Sequence, residues 1–142
     1  MVQIAPMQAN DYDEVLALWK SSEGITIDVS DSRQAIQAYL SRNPGLSFIA
    51  RDKGILVGAV LGGHDGRRGF LHHLAVAPAY RRKGTGRSLS ERVLASLEKL
   101  GLLKCHLFVH AGNRNALAFW ESAGWSRRSD IVTFSKATGH NP

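Results

Sequence analysis

A single cysteine, Cys105, stands in a chain of 142 residues. That scarcity excludes an intramolecular disulfide framework and any zinc site of the four-cysteine kind, and it suits a reducing compartment. Cys105 itself is expected to be a small buried hydrophobe. Long apolar runs are also missing: no segment approaches the roughly 18 continuous apolar residues of a membrane span. Met1 to Asn10 lacks a basic region followed by an apolar stretch, so no secretion signal is read there. These absences lead us to expect a soluble, cytoplasmic protein with no membrane partner. Internal repeats, low-complexity tracts and linkers are absent too, which points to one domain over residues 1–136 followed by a polar tail over 137–142.

The charge is unevenly spread. Met1 to Ala50 holds three basic and six acidic residues, leaving fifteen and six for the remainder, and the chain as a whole carries +6. Arg67, Arg68, Arg81, Arg82, Lys83, Arg87 and Arg92 supply much of the excess. Such a cluster suits polyanions, although a solvated basic face is the blander reading. Nucleic acid ranks last as a partner, because no zinc-finger, RRM or KH signature accompanies the charge.

Hydrophobic patterning predicts a strand at Val2 to Pro6 and a helix from Asp11 to Ser21 with Tyr12, Val15, Leu18 and Trp19 on one face. Asp31 followed by Gln34 reads as a capping box opening a second helix, which Asn43-Pro44-Gly45 ends. Leu46 to Arg51 and Ile55 to Gly62 read as a hairpin turning at Asp52-Lys53-Gly54, and Gly69 to Val76 as the next strand. A helix is expected from about Arg87 to Leu100, with Gly101 at its end, then a strand over Lys104 to His110 and a helix over Ala116 to Ala123. One or two final strands are expected in Trp125 to Ser135. The order β-α-α-β-β-β-α-β-α-β favours a mixed sheet covered by helices over a sandwich or a bundle.

Arg81-Arg82-Lys83-Gly84-Thr85-Gly86-Arg87-Ser88 lies between a predicted strand and a predicted helix. Glycines let a backbone turn tightly and expose successive N–H groups, a helix N-terminus adds its positive dipole end, and arginines add charge-assisted bonds to a pyrophosphate. The dinucleotide fingerprint fails because Leu89 stands where a third Gly or Ala is needed, and the Walker loop fails at Gly86-Arg87-Ser88. Taken alone, the glycines could equally form a turn with solvent-exposed arginines beside it.

Arg81-x-x-Gly84-x-Gly86 after Leu74-Ala75-Val76, followed by Asn113-x-x-Ala116-x-x-Phe119-Trp120-x-x-x-Gly124-Trp125, resembles the Gcn5-related N-acetyltransferase family. Both motifs stand in family order and spacing, and the likeness extends from Met1 to Ser135. Leu18-Trp19, Gly62-Gly63-x-Asp65-Gly66-x-Arg68-Gly69 and Leu74 to Gly86 are similar to small bacterial YpeA-type members. The resemblance implies an α/β (α+β) fold of three layers, a mixed and mostly antiparallel sheet flanked by helices, with Gly69–Val76 splayed from Lys104–His110. It implies acetyl-CoA as cofactor. Leu74, Ala75 and Val76 would offer backbone to the pantetheine arm, Arg81, Arg82, Lys83, Gly84, Thr85, Gly86, Arg87 and Ser88 would cradle the pyrophosphate, and Asn113, Phe119 and Trp120 would wall the thioester. Asn113 could equally serve only as the N-cap of its helix.

The reaction so implied is direct attack of a neutral amine, of a small molecule or a peptide, on the thioester carbonyl, which needs a proton acceptor and an oxyanion donor. Relatives often carry a carboxylate near the positions of His72 and His73. A histidine near its reference pKa of ~6.5 can act there, and strict alternation puts His72 on the face of Leu74 and Val76, unless the strand bulges. Trp120 replaces a tyrosine that many relatives use to protonate the thiolate; an indole N–H is a very poor acid, so Tyr80, Tyr12 or a water is left for that role. A thiol of pKa ~8.5 leaves without strong acid help. His72, His73, His106 and His110 lie on neighbouring predicted strands but lack a carboxylate or cysteine at ligand spacing, so no metal is expected. Glu23 and Asp28, near the predicted acceptor side, would attract a cationic amine. The alternative is a module that binds acyl-CoA without turnover. A homodimer through the final strands is allowed by the resemblance and not required by Trp125 to Ser135.

Overall fold

The computed structural model describes residues 1–139, so the last three positions of the expected tail lie outside the described residues. The chain divides into two compact units, Met1–His110 and a second that starts at Ala111.

In the first unit, five strands run in the order β1 (Val2–Pro6), β2 (Phe48–Asp52), β3 (Ile55–His64), β4 (Gly69–Val76) and β5 (Cys105–His106). The first three pairings are antiparallel and β4 with β5 is parallel. Helices α1 (Tyr12–Lys20) and α2 (Arg33–Arg42) cover one face, and α3 (Thr85–Lys99) the other. Val15, Leu18 and Trp19 of α1 and Ile36 of α2 are buried with Ile49, Leu56, Ala59, Leu61 and Ala75 of the sheet. Across the sheet, Leu89, Val93 and Leu97 of α3 are buried, and Gly58, Gly62 and Gly69 present bare backbone to those three side chains. Three layers and the mixed, mostly antiparallel sheet thus match the architecture implied by the resemblance.

Several local expectations need correction. Asp31 does not cap α2. It closes a short 3-10 turn, Val29–Asp31, while the Ser32 hydroxyl accepts the Ala35 N–H and caps the helix. A serine directly before the first helical residue competes well with aspartate for that place. The strand expected over Lys104 to His110 pairs only at Gly69 with Cys105 and at Phe70 with His106. Beyond Phe70 the outer edge of β4 has no strand partner among the described residues, which is the splay that the resemblance implies. Helix α3 starts at Thr85 rather than Arg87, so Gly86 lies in its first turn, and of the two loop glycines only Gly84 has a left-handed φ, of +86°, as does Arg82 at +62°.

The second unit contains α4 (Arg114–Ser122), with Gly124 after its end at φ +95°. Trp120 is buried, and its ring meets Phe119 at 4.9 Å and Trp125 at 5.2 Å. The strands expected in Trp125 to Ser135 are not formed; Ile131, Val132 and Phe134 are exposed there. An apolar alternation supplies the side chains of a strand but not the neighbour that its backbone must bond.

Candidate active site

The middle of β4 departs from a regular strand. Ala59 faces Ala75 while Leu61 faces His72, so β3 advances by two residues where β4 advances by three. The extra residue is a β-bulge, and His73 within it has φ +54°. Alternation therefore fails at this point. His72 pairs with Leu61 and turns to the α1/α2 face, and His73 reaches the same face, where its ring meets Trp19 edge-on at 4.9 Å. Val76 pairs with Gly58 and lies on the α3 face, so the expected grouping of His72 with Val76 is overturned by the bulge.

Besides the Trp19 ring edge, two polar contacts hold His73. The buried Trp19 indole N–H donates to the His73 carbonyl at 2.9 Å, and the imidazole Nε2 lies 2.9 Å from Asp31 Oδ1. Asp31 is only 6% exposed in its side chain, against 21% for His73. Its Oδ2 accepts the Asp28 N–H at 3.2 Å, and its carbonyl accepts the Tyr12 hydroxyl at 2.6 Å. Neither Asp31 nor the Trp19 indole was marked as a site residue by the sequence. Aspartate before a helix reads as a cap and tryptophan in an apolar stripe reads as core, and no pattern signals a partner 42 or 54 residues away.

His72 has different company. Its ring lies parallel to Phe70 and close to parallel with Phe108, each at 6.3 Å. Burial pushes its pKa below the ordinary histidine value, the neighbouring His73 adds to this, and Asp31 opposes it. His72 is therefore neutral at neutral pH.

Tyr80, expected from sequence as a proton donor, is engaged elsewhere. Its hydroxyl donates to Asp52 at 2.6 Å at the end of β2, where Asp52 also accepts from the N-terminal ammonium at 3.2 Å. That hydrogen bond holds the phenol above its usual pKa and the carboxyl below its own. β3 separates β2 from the strand that carries both histidines. The Asn113 side chain accepts the Ala116 N–H at 3.1 Å, so it is the N-cap of α4.

At the start of α3 no side chain caps the helix. The first intrahelical bond is from Ser88 N–H to the Gly84 carbonyl, so the N–H groups of Thr85, Gly86 and Arg87 have no partner among the described residues. A Cβ on Gly84 would meet nothing within 4 Å, so its glycine serves the positive φ and an unobstructed approach. Arg81, held by its Nε to the Val76 carbonyl at 3.0 Å, stands before it with Arg82 and Lys83. Free N–H groups, a helix dipole and adjacent cations together fit the pyrophosphate of a coenzyme A thioester.

The sequence profile of the acetyltransferase (GNAT) family matches residues 12–125. The chain belongs to this family. It is accordingly an N-acetyltransferase, and acetyl-CoA is its acetyl donor. An acetyltransferase of Sodalis glossinidius is 27% identical over 135 residues, covering 95% of this chain and 94% of that protein. One from Yersinia pestis is 29% identical over 131 residues, with 92% of each chain covered. Among solved structures, the PaiA N-acetyltransferase of Thermoplasma acidophilum in complex with coenzyme A has a TM-score of 0.79 at 20% identity, over 89% of this chain and 90% of that one. The aminoglycoside 6'-N-acetyltransferase AAC(6')-IG of Acinetobacter haemolyticus has a TM-score of 0.79 at 18% identity, over 96% and 99%. These solved structures bear out the fold. No helix among the described residues of this acetyltransferase is long and apolar enough to cross a membrane.

Proposed function

We propose that this acetyltransferase moves the acetyl group of acetyl-CoA to a primary amine of a small molecule or peptide by direct attack, with a histidine of the β4 bulge as proton acceptor. The observation that carries the reading is the uncapped start of α3, where Gly84 at φ +86° precedes three unpartnered N–H groups and follows a run of cations. Arg81, Arg82, Lys83, Gly84, Thr85, Gly86, Arg87 and Ser88 would hold the pyrophosphate, and the outer edge of β4 at Leu74, Ala75 and Val76, which has no strand partner among the described residues, would pair with the pantetheine amides. Bound acetyl-CoA supplies a thioester whose carbonyl carbon is electrophilic. A β4 backbone N–H would stabilise the charge gathering on that carbonyl oxygen. The residues then have one further task, to take the amine proton.

Aminoglycoside acetyltransferases among the structural relatives support a small-molecule amine as acceptor. Asp28 supports a cationic one: its carboxylate accepts from the Ser30 N–H and hydroxyl, and these bonds lower its pKa and keep it charged. The test is calorimetry with acetyl-CoA on wild type, Gly84→Asn and Gly84→Asp. Asparagine and aspartate tolerate a left-handed φ comparably, so they differ mainly in charge. Wild type and Gly84→Asn should bind in the micromolar range, and Gly84→Asp at least tenfold more weakly. Equal affinity for the two variants would refute the pyrophosphate assignment.

A further inference from the structure

We propose that Asp31 is a positioning residue that holds the His73 ring with Nε2 as its donating nitrogen, so that Nδ1 is the atom that takes the proton of the acceptor amine. The inference rests on the acetyl-transfer reading above and adds to it a choice between the two histidines, an atom, and a residue from another part of the fold.

The argument starts from what each group can donate. A carboxylate offers lone pairs and no hydrogen, so the 2.9 Å contact between Asp31 Oδ1 and His73 Nε2 requires the ring nitrogen to donate. A neutral imidazole carries one N–H; with that proton on Nε2, the lone pair is left on Nδ1. Rotation of the ring is opposed by the Trp19 edge at 4.9 Å, and the Trp19 indole N–H holds the bulge carbonyl of the same residue. Asp31 is fixed in turn by the Asp28 N–H on its other oxygen and by the Tyr12 hydroxyl on its carbonyl. The carboxylate is shielded from water while the imidazole keeps 21% of its side-chain surface exposed, the arrangement needed when one group orients and the other meets the substrate.

The backbone agrees. A non-glycine residue at positive φ is energetically disfavoured, and it persists here because the bulge, the indole bond and the carboxylate all determine the same position. His72 lacks this support: Phe70 and Phe108 flank its ring. In the step itself, a C–N bond forms between the amine nitrogen and the acetyl carbon while the C–S bond breaks. His73 Nδ1 takes the amine proton, which passes on to the departing sulfur, so amine and thioester give amide and free thiol with no net proton change.

Nitrogen-15 NMR of histidine-labelled enzyme reads the tautomer without turnover. The His73 signals, assigned by their loss in His73→Gln, should show a protonated Nε2 and an unprotonated Nδ1; a proton on Nδ1 in wild type overturns the proposal. Asp31→Asn, whose amide can donate or accept, should give mixed tautomers and lower kcat on the order of 10²-fold, with acetyl-CoA affinity by calorimetry within twofold of wild type. In a His73→Gln background the same substitution should cost nothing further, and an additive loss would overturn the proposal. Should Asp31→Asn not fold, the wild-type tautomer and the kcat of His73→Gln still decide. If wild type binds acetyl-CoA yet acetylates no amine of a broad panel, the transfer reading fails by itself; if it acetylates and Asp31→Asn does so equally well, the positioning role fails by itself.

Discussion

At the residue scale, the two adjacent histidines show how far environment separates identical side chains. His73 has a carboxylate partner and an exposed edge, whereas His72 lies among aromatic rings and is held below the usual histidine pKa, chiefly by burial. The consequence for stability follows from proton linkage. Where His72 is neutral in the folded state and protonated in the unfolded chain, the unfolded state binds the extra proton, so stability is present above about pH 6.5 and is lost as pH falls through the depressed folded value. Replacement by phenylalanine, which preserves the stack with Phe70 and Phe108, should remove that part of the loss. Urea unfolding at pH 7.5 and 5.5 is expected to show a smaller acid destabilisation for His72→Phe than for wild type; parallel losses would mean that His72 is not the titrating group. Asp31, for which we propose a positioning role, reads from sequence as a helix cap, because local spacing reports neighbours along the chain and not across it.

At the element scale, β3 is the strand whose composition fixes the layers. Its glycines are places where helix or loop approaches the sheet, and Gly62 is the tightest of them. A Cβ there would run into the Leu46 carbonyl oxygen and lie 2.7 Å from a Val93 methyl. Backbone cannot rotate aside as a side chain can, so Gly62→Ala should force β3 and the 46–47 segment apart and cost about 3 kcal/mol or more, at the upper end of overpacking effects. Thermal unfolding checks this, with an unchanged midpoint as the contrary result. The hairpin β2–β3, the helix α3 and the β4 strand were all legible from period and turn chemistry. β5 is shorter than its sequence implies, since apolar content at Lys104 to His110 cannot reveal that β5 leaves β4 after two pairs.

At the scale of the whole molecule, the +6 charge becomes meaningful through its placement. Arg81, Arg82 and Lys83 sit immediately before the uncapped start of α3, and on the proposed reading they would draw a polyanionic donor to that point. Exposed charge pairs contribute up to about 1 kcal/mol each and are screened within about 10 Å at 0.1 M salt. KM for acetyl-CoA should therefore rise roughly three- to tenfold between 50 and 500 mM NaCl with kcat little changed. Initial-rate measurements at fixed amine give the answer, and a flat KM would show that the cations do not reach the donor.

The sequence by itself determined the family, the three-layer architecture and the cationic, glycine-bearing loop that opens α3. Each is encoded locally: apolar periodicity sets the elements, and Arg81-x-x-Gly84-x-Gly86 places cations and a left-handed turn directly before a helix. Only the tertiary structure decided which groups meet. The bulge that turns His73 onto the α1/α2 face depends on how β4 registers against β3, and the Asp31 and Trp19 contacts depend on two segments closing over that face. Tyr80 was diverted to Asp52 for the same reason, because hydrogen bonds are made with whatever the packed layers bring within about 3 Å, and no residue type announces that in advance.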